Sequence, residues 1–404
     1  MLKTEIKREQ TQVGYKLTRR PIAVMWIDWY AYHITRFRAL LENAELAGRV
    51  AGIEIVGGVG VHAGLKFREA APDSFPVQTL FSESSWREAK GWKSAVAVWK
   101  CLNALNPSAV LVPGYYTMPG LAAALWGKAH GRRTVLMTES AEQDHRRTWW
   151  KEKFKSVLVR SLFDRAIAGG KAHRRYLERL GFRPDRIGRF YDVVDNEFFE
   201  DRSEALRKVF RAADFGLPDQ YFLYVGRLAE EKNIKGLIAA YLQYRRSGGR
   251  WSLVLVGDGP LRKQLEEQAA GSRHGVDIRF EGLQGTADLP QYYAYAGCFV
   301  LPSSREPWGL VANEAMASRL PVIISRQCGC ADDLVIEGEN GLLFDPANSG
   351  DLTASLIAMG GLSAERLTEM GWRSRQIIAR FSPERWAAEV ARIVNAGGAY
   401  ESTR

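Results

Sequence analysis

The sequence predicts an α/β protein with two doubly wound parallel-sheet domains in tandem. Short apolar runs typical of buried strands alternate with helical patterns along most of the 404 residues. The alternation stops at the polar stretch 183–208, which we interpret as an interdomain connection, and then starts again. The chain is longer than the roughly 100 to 200 residues of one domain, and 46% of it is hydrophobic, enough for more than one core.

The first series alternates between buried-strand runs and amphipathic segments, which is typical of βαβ units and a parallel sheet. Gly181 suits the end of the last helix in this series. The predicted strands are 22–27, 52–59, 109–114, 133–138 and 165–170, and the predicted helices are 34–48, 118–131 and 171–181.

The second series repeats the pattern. Ligands of such folds bind at the carboxyl ends of the strands, so the residues that follow each strand are the first candidates for a site. The predicted strands are 221–226, 252–257, 278–282, 298–304 and 321–325, and the predicted helices are 234–248, 260–269, 288–296, 309–319 and 382–395.

Charge is distributed unevenly between the two halves. Residues 1–190 contain 32 Lys and Arg against 17 Asp and Glu, a net +15, whereas residues 191–404 contain 24 against 29, a net −5. No apolar run approaches the roughly 18 to 20 residues that cross a bilayer, and residues 1–20 lack the apolar segment of a signal peptide. The expectation is a soluble cytoplasmic protein with a polar N-terminal tail.

The four cysteines are too few and too scattered for a disulfide framework. Cys328 and Cys330 have one residue between them and no second pair of ligands nearby, so the sequence predicts no zinc site.

The most basic stretch is 146–160, "RRTWWKEKFKSVLVR", in which cations alternate with Trp149, Trp150 and Phe154. Such a segment suits an anionic membrane surface or an anionic acceptor. The alternative is a solvated helix face whose aromatic residues belong to the core.

Two cations follow the strand 221–226. Gly226 ends the strand, Arg227 comes next, and Lys232 lies just before a helix. Arg can bind a diphosphate through its fork and Lys as a point charge. Because a diphosphate gains negative charge as it leaves, cations held there stabilise the transition state more than the ground state. The alternative is a surface turn with ordinary basic residues.

The next strand ends in "VGDGPL", 256–261, whose glycines suit a tight turn with close backbone approach. The stretch lacks the complete G-x-G-x-x-G of a dinucleotide site, so we interpret it as structural.

Two glutamates flank the start of the predicted helix 309–319. Pro307 and Gly309 place Glu306 in the loop before the helix, where its carboxylate can accept hydrogen bonds from a sugar. The first turn, at Leu310 and Val311, presents amide groups and the positive end of the helix dipole to an anion. Glu314, one turn further on, has two acceptor oxygens that match vicinal ribose hydroxyls. Alternatively, the glutamates are a helix-start carboxylate and a residue at the edge of the core.

Taken together, the motifs resemble the nucleotide-binding half of the retaining glycosyltransferases of family four, which have the GT-B fold of two Rossmann-like domains facing across a cleft. The resemblance covers residues 160–400 well and 21–160 only in outline. The motifs that carry it are "GRLAEEK", "VGDGP", "YYAYAGCFVLPSSREPWGLVANEAMASRLPVI" and "ENGLLFDP".

The resemblance implies a retaining transfer of a sugar from a nucleoside diphosphate sugar to a hydroxyl acceptor, with no metal and no cofactor. Carried over by motif, Arg227 and Lys232 bind the diphosphate and Glu306 binds the transferred sugar. Glu314 holds the ribose. Gly226 belongs to the donor site, backbone amides near Gly309, Leu310 and Val311 lie by the phosphates, and Leu283 and Gln284 lie near the base.

The N-terminal half departs from the family pattern. Many relatives have a glycine pair after the first strand, where this chain has "DWYAYHITR" with His33 among Trp29, Tyr30 and Tyr32. Many also have a histidine where Glu139 follows the strand 133–138. His33 and Glu139 are candidates for acceptor binding, and for each the alternative is a structural role. Asp28 and Arg36 belong to the same group.

The resulting expectation divides the chain into the tail 1–20, an acceptor-binding domain 21–195, a nucleotide-sugar-binding domain 196–381, and a segment 382–404 whose helix crosses back to the first domain. The +15 half suits an acidic or lipid-linked acceptor and peripheral contact with the inner face of a membrane. The basic first half contains no recognisable nucleic-acid-binding motif, so we expect no nucleic-acid partner. A nucleotide-sugar epimerase, a phosphorylase, and a non-catalytic membrane or polysaccharide binder remain as alternatives.

Overall fold

The computed structural model of the chain describes residue 17 and residues 20–57, 74–141 and 149–396. The predicted tail 1–20 therefore lies almost entirely outside the described residues. The strands are β1 (Ile22–Trp26), β2 (Val50–Val56), β3 (Val77–Phe81), β4 (Ala109–Pro113), β5 (Arg133–Thr138), β6 (Arg165–Ala168), β7 (Ile187–Gly188), β8 (Tyr221–Val225), β9 (Ser252–Val256), β10 (Ile278–Gly282), β11 (Cys298–Leu301), β12 (Val322–Ser325) and β13 (Gly341–Phe344).

The α-helices are α1 (Ala31–Glu42), α2 (Trp86–Ala89), α3 (Trp92–Leu105), α4 (Met118–Ala129), α5 (Trp149–Leu162), α6 (Lys171–Arg179), α7 (Asn196–Val209), α8 (Ile234–Arg246), α9 (Arg262–Ala270), α10 (Leu289–Tyr295), α11 (Leu310–Ala317), α12 (Ala331–Leu334), α13 (Ser349–Gly360), α14 (Ala364–Ile378) and α15 (Pro383–Asn395). In the part of the chain that the structure describes, no helix is long and apolar enough to cross a bilayer.

The chain divides into two compact units. The first comprises the described residues up to Met137 together with Val157–Ala166 and those from Val390 onward, and the second comprises Thr138–Ser156 and Ile167–Glu389.

The first sheet has the strand order β3-β2-β1-β4-β5-β6-β7. The pairs β1–β2, β1–β4, β2–β3 and β4–β5 are all parallel. Every residue of β1 and β2 is buried, as expected for parallel strands with helices on both faces. β3 lies at the edge and is half-buried, and the sequence pattern does not predict it.

The second sheet has the order β10-β9-β8-β11-β12-β13, again parallel at each pair. Its central strand β8 is buried throughout, and α8 packs its apolar face into the same core. Both sheets are thus doubly wound and Rossmann-like, which confirms the predicted fold class.

The end of α15 groups with the first unit, whereas its residues up to Glu389 group with the second. Asn395 donates a hydrogen bond to Glu45 at 2.9 Å and accepts one from Arg49 at 3.3 Å. These contacts hold the last turn of α15 beside the residues that follow α1.

Candidate active site

The chain changes direction across the second sheet between β8 and β11. From β8 the connection leads outward to β9, and from β11 it leads outward to β12, so these adjacent strands form the switch point at which doubly wound folds bind ligands. The loops that follow β8 and β11 carry most of the predicted donor-site residues.

The turn after β8 depends on glycine. Gly226 has a φ of 149°, and a Cβ added there would lie 2.7 Å from the Tyr224 hydroxyl. A Cβ added to Gly257 would lie 1.9 Å from the carbonyl oxygen of Gly226, because the loops after β8 and β9 touch backbone to backbone. The prediction that "VGDGPL" permits close backbone approach is therefore confirmed.

A buried tyrosine supports the same turn. The Tyr224 hydroxyl donates a hydrogen bond to the carbonyl of Arg227 at 2.9 Å. Burial, followed by the negative charges of Glu306 and Glu231, raises the pKa of Tyr224 well above its ordinary value. The hydroxyl therefore stays protonated and remains a donor at physiological pH.

Arg227 extends from this turn with its side chain about half exposed, and its guanidinium pairs with Glu231 at 2.8 Å. Burial raises the pKa of Glu231, but a backbone hydrogen bond and the positive charges of Arg227 and Lys232 outweigh burial and hold it below its ordinary value. The Glu231 carboxylate would thus compete with any other anion for the guanidinium of Arg227. Glu231 was not predicted as a partner of Arg227.

Glu231 also ties the two loops together through its backbone. Its carbonyl accepts hydrogen bonds from the amide of Ser304 at 2.9 Å and from the hydroxyl of Ser304 at 3.2 Å. A side-chain bond from Asn233 to the carbonyl of Pro302, at 3.2 Å, adds a third link. The short 3₁₀ helix Glu230–Lys232 is therefore held against the loop after β11.

Lys232 and Glu306 form an ion pair at the end of these two strands. Both side chains are largely buried, and the Ser303 hydroxyl donates a second hydrogen bond to the same carboxylate oxygen of Glu306 at 3.1 Å. A cation and a carboxylate from separate loops thus pair at the position where the strand order of the second sheet reverses.

The backbone of Glu306 is fixed by the loop that follows β12. Its carbonyl accepts a hydrogen bond from the amide of Gly329 at 2.9 Å, in a parallel bridge between Glu306 and Cys328. A Cβ added to Gly329 would lie 1.7 Å from the carbonyl oxygen of Pro307, so only glycine fits. Burial raises the pKa of the Cys328 and Cys330 thiols well above the ordinary value, and this stretch acts as a buried support.

His173 supports the same loop from the other side and was not predicted. Its ring is fully buried, its Nδ1 accepts a hydrogen bond from the amide of Gly170 at 3.1 Å, and its Nε2 lies 2.9 Å from the carbonyl oxygen of Pro307. Because Nδ1 is the acceptor, Nε2 carries the proton and donates to Pro307. No sequence pattern connects residues 134 positions apart.

The loop enters α11 through Gly309, which has a φ of 101°. A Cβ there would lie 2.6 Å from Leu301, so the residue is glycine for both its conformation and its packing. Leu310 and Val311 form the first helical turn and are half-buried. Their amides occupy the helix end that attracts anions, beside the Lys232 and Glu306 pair.

Glu314 is fully buried one turn into α11. The Tyr293 hydroxyl from α10 donates a hydrogen bond to its carboxylate at 2.6 Å, which fixes the orientation of the group. Leu283 follows β10 on the same edge of the sheet, two strand spacings, roughly 10 Å, from β8. The predicted donor residues thus follow the adjacent strands β8 and β11, apart from Leu283, which follows the edge strand β10.

The acceptor candidates belong to the first sheet's strand ends. His33 lies in the first turn of α1, where its Nδ1 accepts a hydrogen bond from the amide of Tyr30 at 3.2 Å and its ring stacks on Trp26. Glu139 follows β5 directly and is half-buried. In the sheet order, β4 lies between β1 and β5.

Trp29, one of the aromatic residues around His33, is not available to a ligand. Its side chain is 0% exposed and packs against Trp26 and Phe37. Asp28 and Arg36 are also buried, and Asp28 accepts a hydrogen bond from the Tyr30 hydroxyl at 2.6 Å. An indole this close to the sheet core has no face available to a ligand.

The basic stretch 146–160 falls largely on α5, and its residues 146–148 lie outside the described residues. Trp150 and Phe154 are 55% and 71% exposed. The alternative that these two aromatics belong to the core is therefore wrong. Among the described residues, no group of three or more His, Cys, Asp or Glu side chains is arranged to hold a metal ion.

The sequence of residues 207–367 matches the family described as glycosyl transferases group 1. Over 210 residues the chain is 30% identical to the sulfoquinovosyl transferase SQD2 of Arabidopsis thaliana, covering 50% of this chain and 38% of that protein. It is 30% identical to the alpha-D-kanosaminyltransferase of Streptomyces kanamyceticus, covering 50% of this chain and 52% of that one. The chain thus spans about half the length, or less, of these relatives.

A longer match, 31% identity over 297 residues, joins the chain to the D-inositol 3-phosphate glycosyltransferase of Nocardiopsis dassonvillei and covers 68% of this chain and 65% of that protein. Among solved structures, the fold is similar to that of Anabaena HepE in complex with UDP and glucose, with a TM-score of 0.68, 18% identity, and coverage of 92% and 99%. It is also similar to the sucrose-phosphate synthase of Thermosynechococcus elongatus, with a TM-score of 0.70, 20% identity, and coverage of 93% and 98%. The chain has the fold of the GT-B glycosyltransferases, and its residues 207–367 match the sequence model of the glycosyl transferases group 1.

Proposed function

We propose that the chain transfers a sugar from a nucleoside diphosphate sugar to a hydroxyl acceptor with retained configuration, and without a metal ion or cofactor. The observation that carries this proposal is the ion pair of Lys232 and Glu306, which lies beside Arg227 and the start of α11 at the switch point of the second sheet. Relatives and fold neighbours that transfer sugars or bind UDP support it.

The leaving group is the nucleoside diphosphate. As the bond between C1 of the sugar and the diphosphate oxygen breaks, negative charge grows on the phosphate oxygens. Arg227 and Lys232 stabilise this charge, together with the first amides of α11 at Leu310 and Val311. These groups supply the positive charge that a divalent cation provides in other transferases.

The remaining donor contacts are part of the same proposal. Glu306 accepts hydrogen bonds from hydroxyls of the transferred sugar. Glu314 accepts them from the ribose, which requires its buried carboxylate to become accessible when the donor binds. Gly226 and Gly309 let the backbone approach the phosphates closely because neither has a Cβ. Leu283 lies further along the same sheet edge and provides an apolar surface for the base.

In the transfer step the acceptor oxygen forms a bond to C1 on the face that the diphosphate leaves. The acceptor proton passes to a departing phosphate oxygen, so the step needs no separate base. His33 and Glu139 hold the acceptor hydroxyl by hydrogen bonds. The basic first half of the sequence suits an acceptor that is anionic or lipid-linked, at the inner face of a membrane.

A thermal-shift screen tests the donor assignment directly. UDP, GDP, ADP and their glucose, galactose and mannose derivatives are added to the purified protein, and a ligand that binds the folded state raises the midpoint of unfolding. One base should give the largest shift with both the diphosphate and its sugars. Stabilisation by none of these ligands would overturn the proposal.

The anomeric configuration of the product decides between retention and inversion. The donor that binds is incubated with simple alcohols and lipid-linked saccharides, and the product is examined by NMR with and without EDTA. Retained configuration with full rate in EDTA is the expected result. Inverted configuration or dependence on added Mg²⁺ would contradict this part of the proposal.

A further inference from the structure

Helix α3 has a second apolar face that does not reach the core. Its buried face is formed by Val98, Cys101 and Leu102. Trp92, 69% exposed, and Val96 lie on another side of the helix. Together with Ala95 and Trp99 these two residues follow the spacing i, i+3, i+4, i+7, which is one continuous helical stripe.

Helix α4 repeats this arrangement. Its stripe consists of Met118, Leu121, Ala122 and Leu125, again at i, i+3, i+4 and i+7, and Leu125 is 45% exposed. The helix also has a buried face toward the core, so its apolar stripe is a second and separate surface.

The two stripes meet. Ala95, Val96 and Trp99 from α3 and residues from the stripe of α4 line one groove with a volume of about 260 Å³, and its lining residues are all apolar. The groove joins the two stripes into one contiguous apolar surface, and exposed apolar surfaces rimmed by polar residues are typical of contact sites with a protein or a membrane.

The charges around the groove favour one of these partners. Lys93 and Lys100 are exposed and lie seven residues apart on one side of α3, where they directly follow the exposed Trp92 and the groove residue Trp99 in sequence. Neither α3 nor α4 contains an aspartate or glutamate. The apolar groove therefore has cations at its border and no carboxylate on the helices that form it.

We infer that the α3/α4 groove is a docking surface for an anionic lipid bilayer. Apolar and indole side chains enter the boundary between headgroups and acyl chains, and the lysines pair with the lipid phosphates. This inference rests on the membrane contact proposed above and identifies the surface that makes it. Its readout is vesicle binding, which is separate from donor binding and sugar transfer.

The test is flotation of the whole protein with vesicles of phosphatidylcholine alone and of phosphatidylcholine with phosphatidylglycerol. Replacing Trp92→Ser together with Leu125→Ser should lower the partition coefficient at least about tenfold, because both apolar anchors are removed. Lys93→Gln together with Lys100→Gln should lower it about thirtyfold on the anionic vesicles, since each lysine contributes about 1 kcal/mol near such a surface.

Matched controls lie in the second unit. Val276→Ser with Ile357→Ser removes two exposed apolar residues elsewhere, and Arg246→Gln with Lys263→Gln removes two exposed cations elsewhere. Both control variants should float as the unchanged protein does. The midpoint of thermal unfolding without ligand shows that each variant is folded, and it should be nearly the same in all of them.

Three results would overturn the inference. The first is equal flotation of the groove variant and the unchanged protein, including no flotation of either. The second is loss of flotation only in Trp150→Ser with Phe154→Ser, which would assign the contact to α5. The third is self-association of the unchanged protein in sedimentation velocity that the groove variant lacks, which would make the groove an interface between two copies.

Discussion

Lys232 and Glu306 form an ion pair although 74 residues separate them in the chain. The pair exists because β8 and β11 are neighbours in the sheet and each is followed by a loop that turns toward the other. Replacing Lys232→Ala should lower the rate of transfer about a hundredfold or more, as the loss of one preorganised group at developing charge does. The measurement is donor turnover at saturating acceptor.

The matched control for that change is Lys235→Ala. Lys235 lies three residues away, is exposed, and pairs with Glu230 at 3.3 Å on the surface. It should keep full activity. Equal activity of Lys232→Ala and Lys235→Ala would contradict the role of Lys232.

The Glu306→Gln variant tests the role of the Glu306 carboxylate in transfer while preserving the size of the side chain. Glutamine is similar in size and its oxygen can still accept from Lys232 and Ser303, so the protein should remain folded, although its free energy of unfolding should fall because the largely buried Lys232 loses its counter-charge. Transfer should fall strongly, because a neutral amide binds sugar hydroxyls more weakly than a carboxylate. The surface variant Glu337→Gln is the control, and full activity of Glu306→Gln would refute the assignment.

Glu231→Gln should have the opposite effect on ligand affinity. The Glu231 carboxylate holds Arg227 in the absence of ligand, and an ion pair of this exposure is worth up to about 1 kcal/mol. Its removal should tighten diphosphate binding by up to about fivefold, as measured by calorimetry. Weaker binding would show that Glu231 positions Arg227 instead of competing for it, and Arg227→Ala provides the reference for complete loss.

Gly257→Ala tests the contact between the loops after β8 and β9. The added methyl group would lie 1.9 Å from the carbonyl oxygen of Gly226, so the turn must move. Overpacking of this kind costs about 1 to 3 kcal/mol of unfolding free energy, and diphosphate affinity should fall with it. Gly271→Ala, at a φ of −67° and with neighbours no closer than 3.6 Å, should be nearly neutral.

Stability should depend on pH through Glu200. Its carboxylate accepts hydrogen bonds from Arg319 at 2.8 Å and Arg375 at 2.5 Å. Burial raises the pKa of Glu200, but these hydrogen bonds and charges outweigh burial and lower it. The ionised Glu200 carboxylate therefore stabilises the folded state above the unfolded-state pKa of about 4.3. This stabilisation is lost as the pH falls through the lower pKa of the folded state.

Urea unfolding between about pH 7 and about pH 3 measures this dependence. Glu200→Gln should reduce both the stability at neutral pH and its loss on acidification. Glu267→Gln, at an exposed position on α9, should leave the curve unchanged. Parallel pH curves for Glu200→Gln and the unchanged protein would refute the assignment.

Much of the architecture could be predicted because its strands are short buried apolar runs bounded by glycine and proline. β8 and β11 are of this type, and the residues after them were identified without coordinates. β3 was missed because it lies at a sheet edge and is only half-buried, so its sequence has no continuous apolar signal. α7 was taken for a connection because its exposed side is strongly polar, although Asp195 caps its first turn by accepting from the amide of Phe198.

The supports of the site were harder to predict than its candidate ligand-binding residues. Glu306 and Lys232 have the chemistry of the proposed reaction, and their position after strands indicates a site. His173 and Gly329 act on the backbone of the loop between Glu306 and Trp308, and only the fold brings them there. Neither residue is part of a recognisable sequence motif, and their roles follow from distances alone.

The burial of the native thiols makes the chain suitable for site-directed labelling. All four cysteines are buried, and burial raises the pKa of the Cys101 thiol to about 11 and those of the other three well above the ordinary value. Maleimides react with thiolates, which these residues scarcely form at neutral pH. A single cysteine introduced at an exposed position such as Val276 would therefore carry a fluorophore or spin label without prior removal of the natural ones.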